Sequence, residues 1–253
     1  MLIEVQRRLP NHDLLYLADQ ARCPYGPRPI AELRNLTLAA AEWLVDRGAK
    51  LIVIACNTAS AAALQLVRAA FPAIPFVGMV PAVKPAVQLT RTGVIGVLAT
   101  PATIAGDLLH EVIERWAGGI QVILQPCDGW VDLVERGELT TPEARAIVEQ
   151  HLAAPLAAGA DTLVLGCTHY PFLADQIRAV AGPGVTLVDS GPAVASQVAR
   201  LLAERGIATG GTGRTTYATT GDSDTFKALM GRLKLPPGEV IWAEEFAPGS
   251  RSR

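Results

Sequence analysis

The 253-residue chain is 50% apolar and 18% charged with a formal net charge of -2, enough for a large buried core and without the basic footprint of a nucleic-acid binder. Its apolar runs break well short of the roughly 20 residues a membrane helix needs, and MLIEVQRRLP lacks a signal-peptide pattern, so a globular cytoplasmic protein is expected, with neither nucleic acid nor membrane as partner. Four cysteines without a C-x-x-C pair are too sparse for a disulfide scaffold, and the four histidines do not cluster with them at zinc spacing, so reduced thiols and no metal are expected.

Along the chain, short apolar runs alternate with segments of helical period, the pattern of an α/β protein built on parallel sheets. Strands are expected at 14–17, 51–55, 76–78, 94–98, 121–124, 162–165, 185–188 and 216–218. The clearest helix spans 29–47, where Ile30, Leu33, Leu36, Ala40, Ala41 and Leu44 share one face. Pro29 suits its first turn and Gly48 its end. Leu51 to Ile54 is too continuously apolar for a half-exposed strand and fits a sheet covered on both faces.

Two segments match position for position: GAKLIVIACNTA from Gly48 and GADTLVLGCTHY from Gly159. Each sets a cysteine, Cys56 or Cys167, eight residues after its glycine, at the carboxyl end of a strand where the chain turns into a helix. Open α/β sheets bind ligands there. The match predicts two similar lobes, 1–83 plus 193–253 carrying Cys56 and 84–192 carrying Cys167, each a mainly parallel sheet flanked by helices, with the active site in the cleft between them. A helix N-terminus can lower a thiol pKa from about 8.5 towards neutrality. A thiolate and a thiol facing one carbon supply the base and acid that stereoinversion beside a carboxylate requires, without a cofactor. Pyridoxal-phosphate chemistry finds no lysine in a recognisable setting among Lys50, Lys84, Lys227 and Lys234.

ACNTAS around Cys56 and LGCTHYP around Cys167, with ADQARCPYG at 18–26, LVERGELT at 133–140 and TTGD at 219–222, resemble the glutamate racemases, almost from end to end. Aspartate racemases of the wider superfamily usually carry Glu where this chain has His169. The resemblance implies cofactor-independent interconversion of L- and D-glutamate, supplying D-glutamate for peptidoglycan, with glutamate as the small-molecule partner. By the same resemblance Cys167 takes the α-proton of L-glutamate and Cys56 that of D-glutamate, His169 assists Cys167, and Glu135 is the acidic residue of the second lobe. Pro24, Tyr25, Gly26, Asn57, Thr58, Thr103 and Thr168 fall on positions that hold the substrate. Family members open with a strand and glycine-rich turn of the FDSGVGG kind, whereas MLIEVQRRLP matches the helix that follows. This favours one alternative, a non-catalytic glutamate- or partner-binding protein; a second, a racemase of aspartate or a hydantoin, also stays open, with CTHYP against it. A homodimer is compatible with the sequence, which does not fix the oligomeric state.

Other features read as ordinary. Asp189-Ser190-Gly191 follows a strand but belongs to the second region. Cys127 reads as structural, His12, His110 and His151 as solvated, Gly210 to Gly213 as a plain loop, and the tail 247–253 as loose. Thr100 fits a helix cap.

Overall fold

The computed structural model describes residues 1–207 and 210–243; the tail expected to be loose, 247–253, lies outside them. The chain divides into two compact units. The first holds Met1–Ala55, Ala62–Gly78 and the described residues from Gly191 onward; the second holds Cys56–Ala61 and Met79–Ser190.

The chain starts in the first unit with α1 (Leu2–Arg8) and β1 (Leu14–Ala18), followed by a 3-10 turn at Gln20–Arg22 and the long α2 (Ile30–Asp46). On α2 the residues Leu33, Leu36, Thr37, Ala41 and Trp43 are buried, close to the stripe expected from the sequence, and Pro29 is the N-cap residue rather than the first helical one. Next come β2 (Ile52–Val53), α3 (Asn57–Ala70) and β3 (Phe76–Val77), with β2 and β3 paired in parallel. The regular strand β2 is shorter than the 51–55 run suggested, although Ile54 N–H still donates to Val77 O.

The second unit is a βα succession: α4 (Val83–Leu89), β4 (Val94–Ala99), α5 (Pro101–Ile104), α6 (Asp107–Trp116), β5 (Gln121–Pro126), α7 (Trp130–Arg136), α8 (Pro142–Ala157), β6 (Thr162–Leu165), α9 (Ala174–Ala181) and β7 (Thr186–Asp189). Its four-stranded sheet has the order β5-β4-β6-β7, with every pair parallel. β6 is buried throughout and β4 over all but its first residue, so neither shows apolar–polar alternation. Ile95, Val97, Ala99 and Val164 pack with Val83, Ala86 and Leu109 of α4 and α6. A carboxylate fixes the amino end of this sheet: Asp161 accepts hydrogen bonds from Thr90 Oγ1 (2.7 Å), Arg91 N (2.7 Å), Thr92 N (3.1 Å) and Thr162 Oγ1 (3.1 Å).

The chain then returns to the first unit with α10 (Gly191–Glu204), β8 (Thr215–Thr219), α11 (Ser223–Arg232) and β9 (Glu239–Trp242). β1, β8 and β9 form a parallel sheet in the order β1-β8-β9, separate from the β2-β3 pair. Successive residues of β8 face opposite ways: Tyr217 packs with Phe226 and Met230, Ala218 with Trp43 and Ala243. β9 was not expected from the sequence. Its four residues follow Pro236-Pro237-Gly238 and both ends are exposed, so they carry no buried-strand signature.

Two histidine expectations need correction. Both ring nitrogens of His12, and Nδ1 of His151, are buried without a hydrogen-bond partner among the described residues, and the His151 ring packs edge-on to Trp130 at 5.9 Å. The two lie in polar or helical stretches, which gave no sign of burial; for His151 the cover includes Trp130, 21 positions earlier in the chain. Among the described residues no helix is long and apolar enough to cross a membrane.

Candidate active site

The two matching segments begin with the same backbone device. Gly48 and Gly159 have φ of 82° and 84°, the left-handed region where a side chain would be strained. Gly48 N donates to Val45 O and Ala49 N to Leu44 O; one repeat later Gly159 N donates to Leu156 O and Ala160 N to Pro155 O. Both helices therefore stop on a Schellman motif, which turns the chain into the strand that leads to the cysteine.

At the first thiol, Cys56 immediately precedes α3. Its carbonyl accepts from Ser60 N (2.9 Å) and its Sγ accepts from Ala59 N (3.4 Å), so the sulfur caps the helix. Helix-end polarity does not decide its acidity. Burial pushes the Cys56 thiol above its ordinary value, outweighing the Ala59 N–H and the nearby His169 that favour thiolate, while Cys167 pushes the same way as burial. The lowered pKa expected from position alone is thus overturned for Cys56. At the second thiol, Cys167 O accepts from Tyr170 N (3.1 Å), and the chain makes a 3-10 turn at Tyr170–Leu173 before α9 begins. Cys167 therefore leads into a 3-10 turn rather than directly into an α-helix. Gly166 before it has no room for a side chain: a Cβ would lie 2.8 Å from Leu98 O and 2.9 Å from the Ala99 Cβ.

The two thiol loops are joined directly. Asn57 Nδ2 donates to Gly166 O at 2.8 Å, so the residue after one cysteine holds the residue before the other. The amide oxygen of Asn57 is buried and has no hydrogen-bond partner among the described residues, leaving an acceptor on the side chain that joins the two loops. Next to it, Thr58, Thr100 and Thr103 form a hydroxyl triangle with separations of 3.4, 3.3 and 3.0 Å. Thr100 is also the N-cap of α5, as expected from the sequence, and accepts from Thr103 N.

Glu135 and His169 complete the group. α7 is anchored by the fully buried Trp130 and Leu133 and bounded by Gly129 and Gly137, both at positive φ, and it presents Glu135 near its carboxyl end. His169 Nε2 lies 2.7 Å from Glu135 Oε1, and His169 Nδ1 lies 3.8 Å from Cys167 Sγ. A carboxylate only accepts, so Nε2 carries the hydrogen; in the neutral ring Nδ1 then bears the lone pair that faces the sulfur. Tyr170 seats this loop: it is fully buried, donates its hydroxyl to Cys127 O (3.1 Å) and packs edge-on to Trp130 at 4.8 Å. Cys127 is buried, and burial together with Asp128 pushes its thiol well above the ordinary range, in keeping with a structural residue.

Of the residues expected at the site, Cys56, Asn57, Thr58, Thr103, Glu135, Cys167, Thr168 and His169 all belong to the second unit. Pro24, Tyr25 and Gly26 belong to the first, after a cis Cys23–Pro24 peptide. The Tyr25 hydroxyl donates to Asp19 Oδ2 at 2.6 Å. The sequence reading missed Asp19, although it stands in ADQARCPYG directly after β1, where a carboxylate beside a proposed substrate loop is a usable signal.

Two cysteines on joined loops, one of them backed by a histidine and a carboxylate, are groups that can give and take a proton, and the chain belongs to the Asp/Glu/hydantoin racemase family, whose model matches residues 2–198. Within that family it is similar to glutamate racemases. That of Roseiflexus sp. (strain RS-1) is 58% identical over 95% of this chain and 89% of its own length, and that of Deinococcus radiodurans is 49% identical over 94% and 82%. Among solved structures, a Bacillus anthracis glutamate racemase superposes with a TM-score of 0.85 at 30% identity, covering 96% of this chain and 91% of that one. The Escherichia coli glutamate racemase in complex with L-glutamate and the activator UDP-MurNAc-Ala gives 0.85 at 31% identity, covering 94% and 91%.

Proposed function

We propose that this chain interconverts L- and D-glutamate without a cofactor, providing D-glutamate for peptidoglycan, and that it works in the cytoplasm. The observation that carries the mechanism is the Asn57–Gly166 hydrogen bond, which holds the loops of Cys56 and Cys167 together. One sulfur, as thiolate, removes the α-hydrogen as a proton, the electron pair stays on the α-carbon beside the carboxylate, and the other sulfur delivers its own proton to the opposite face. Cys167 acts as base on L-glutamate, with its proton drawn by His169 Nδ1 and the imidazole held by Glu135; Cys56 acts as base on D-glutamate. Burial leaves Cys56 in its protonated form at rest, the form required of the partner that donates when L-glutamate is consumed.

The substrate's ammonium group is accepted by Asn57 Oδ1. Hydroxyls of Thr58, Thr103 and Thr168, together with main-chain N–H groups of Tyr25 and Gly26, serve its carboxylates. Both Cys56→Ser and Cys167→Ser should abolish conversion of either enantiomer, measured by circular dichroism or chiral chromatography on enzyme free of pyridoxal phosphate. Full two-way turnover by either variant would rule out the paired-thiol scheme.

A further inference from the structure

Asp19 takes no part in the proton transfer proposed above, yet its carboxylate gathers three partners. Its side chain is 10% exposed. Oδ2 accepts from the Tyr25 hydroxyl at 2.6 Å, and Oδ1 accepts from Arg22 Nη1 at 2.6 Å and from Thr220 Oγ1 at 2.9 Å. Thr220 in turn accepts from Ala21 N at 3.1 Å, and Arg28 Nε donates to Arg22 O at 2.7 Å. One charge therefore ties together the end of β1, the residue after β8, the turn at Gln20–Arg22 and the segment that carries Pro24, Tyr25 and Gly26.

We infer that Asp19 is a positioning residue for glutamate binding, acting through Tyr25 and the loop that follows. The inference rests on the glutamate-racemase reading of the site. Hydrogen bonds to a carboxylate are shorter and stronger than neutral ones, so this clamp holds the loop in a single geometry before substrate arrives. It also sets what Tyr25 can do. With its hydroxyl hydrogen committed to Asp19, the phenol oxygen has only lone pairs left for a ligand and cannot donate to a carboxylate. The main chain at Tyr25 and Gly26 is then what the loop presents to a carboxylate, and its placement depends on the clamp. An Asp19→Asn change keeps one acceptor but turns an NH2 towards a donor, so the amide cannot serve all three partners.

The test is steady-state racemisation by the full chain for wild type, Asp19→Asn, Tyr25→Phe and the double variant, with urea unfolding and near-ultraviolet tyrosine absorbance on the same samples. Each single variant should raise KM for glutamate about tenfold and leave kcat within about twofold. The double variant should be no worse than Asp19→Asn alone, because the one bond that Tyr25→Phe removes is among those that Asp19→Asn disturbs. The absorbance component of a carboxylate-bonded phenol should disappear equally in Asp19→Asn and Tyr25→Phe, whether or not glutamate is the substrate. A fall in kcat at unchanged KM, multiplicative effects in the double variant, or a tyrosine spectrum indifferent to Asp19→Asn would overturn the inference. Wild-type protein inert towards glutamate but with the spectral change intact would instead overturn the glutamate reading.

Discussion

At Cys56 two influences of opposite sign meet. The helix end and the Ala59 N–H favour thiolate, and burial favours thiol; burial wins. A thiol that keeps its proton rests in the form that can be called on to donate, although the same burial makes it the weaker acid and its thiolate the stronger base. The other sulfur is served by a relay in which Glu135 fixes the His169 tautomer and leaves Nδ1 free of hydrogen towards Cys167. Glu135→Gln removes the carboxylate that selects this tautomer, and an amide can donate to Nε2 instead. We expect kcat to fall about 10- to 100-fold with KM changed little. Because the equilibrium constant between enantiomers is fixed at one, kcat/KM should fall equally from L- and from D-glutamate in an assay run in both directions; wild-type rates in the Glu135→Gln variant would remove Glu135 from the relay. Much of this site was legible in the sequence because each thiol sits in a local pattern of glycine, apolar run and cysteine. The links that span the chain were not legible. Asn57 reaches across 109 positions to Gly166, and Asp19 reaches across 201 to Thr220; neither pairing leaves a local trace.

At the scale of elements, legibility followed burial. β4 and β6 lie inside the sheet of the second unit and read directly as apolar runs, whereas β9, exposed at both ends, did not. The helix end at Gly48 was also visible in advance, since glycine is the residue that accepts positive φ there; the Schellman hydrogen bonds were not. His151 was misjudged because its ring is covered by Trp130 of another helix, a contact with no local trace in the sequence. The connection between α4 and β4 depends on Asp161, whose side chain is 10% exposed. Burial works to raise its pKa, but hydrogen bonds from Thr90, Arg91, Thr162 and Thr92 prevail and hold it at about 2, below the ordinary 3.8. A carboxyl depressed in the folded state stabilises the protein above its unfolded pKa, and this stabilisation fades as pH falls towards the folded value. Asp161→Asn should therefore lower unfolding free energy by about 2 kcal/mol at neutral pH, and the gap to wild type should shrink to about half by pH 3. Urea titrations at the two pH values measure this; a gap independent of pH would mean that the hydrogen bonds act without the charge.

At the scale of the molecule, the α/β class and the family were both within reach of the sequence, because the two cysteine segments repeat one local design 111 positions apart, from Cys56 to Cys167. Packing adds what the repeat does not contain: Cys56–Ala61 falls in the same compact unit as Met79–Ser190, so both thiols, their bridging asparagine and the His169–Glu135 pair belong to a single body. Two sulfurs held in one body predict a definite isotopic outcome. L-glutamate incubated with the enzyme in deuterium oxide should give D-glutamate carrying deuterium at the α-carbon from the first turnovers, while the remaining L-glutamate keeps its original hydrogen, and the reverse experiment should mirror this. Mass spectrometry of the separated enantiomers at low conversion measures it. Early product that retains the substrate's own hydrogen would mean that one base carries the proton between faces, and would contradict the paired-thiol account.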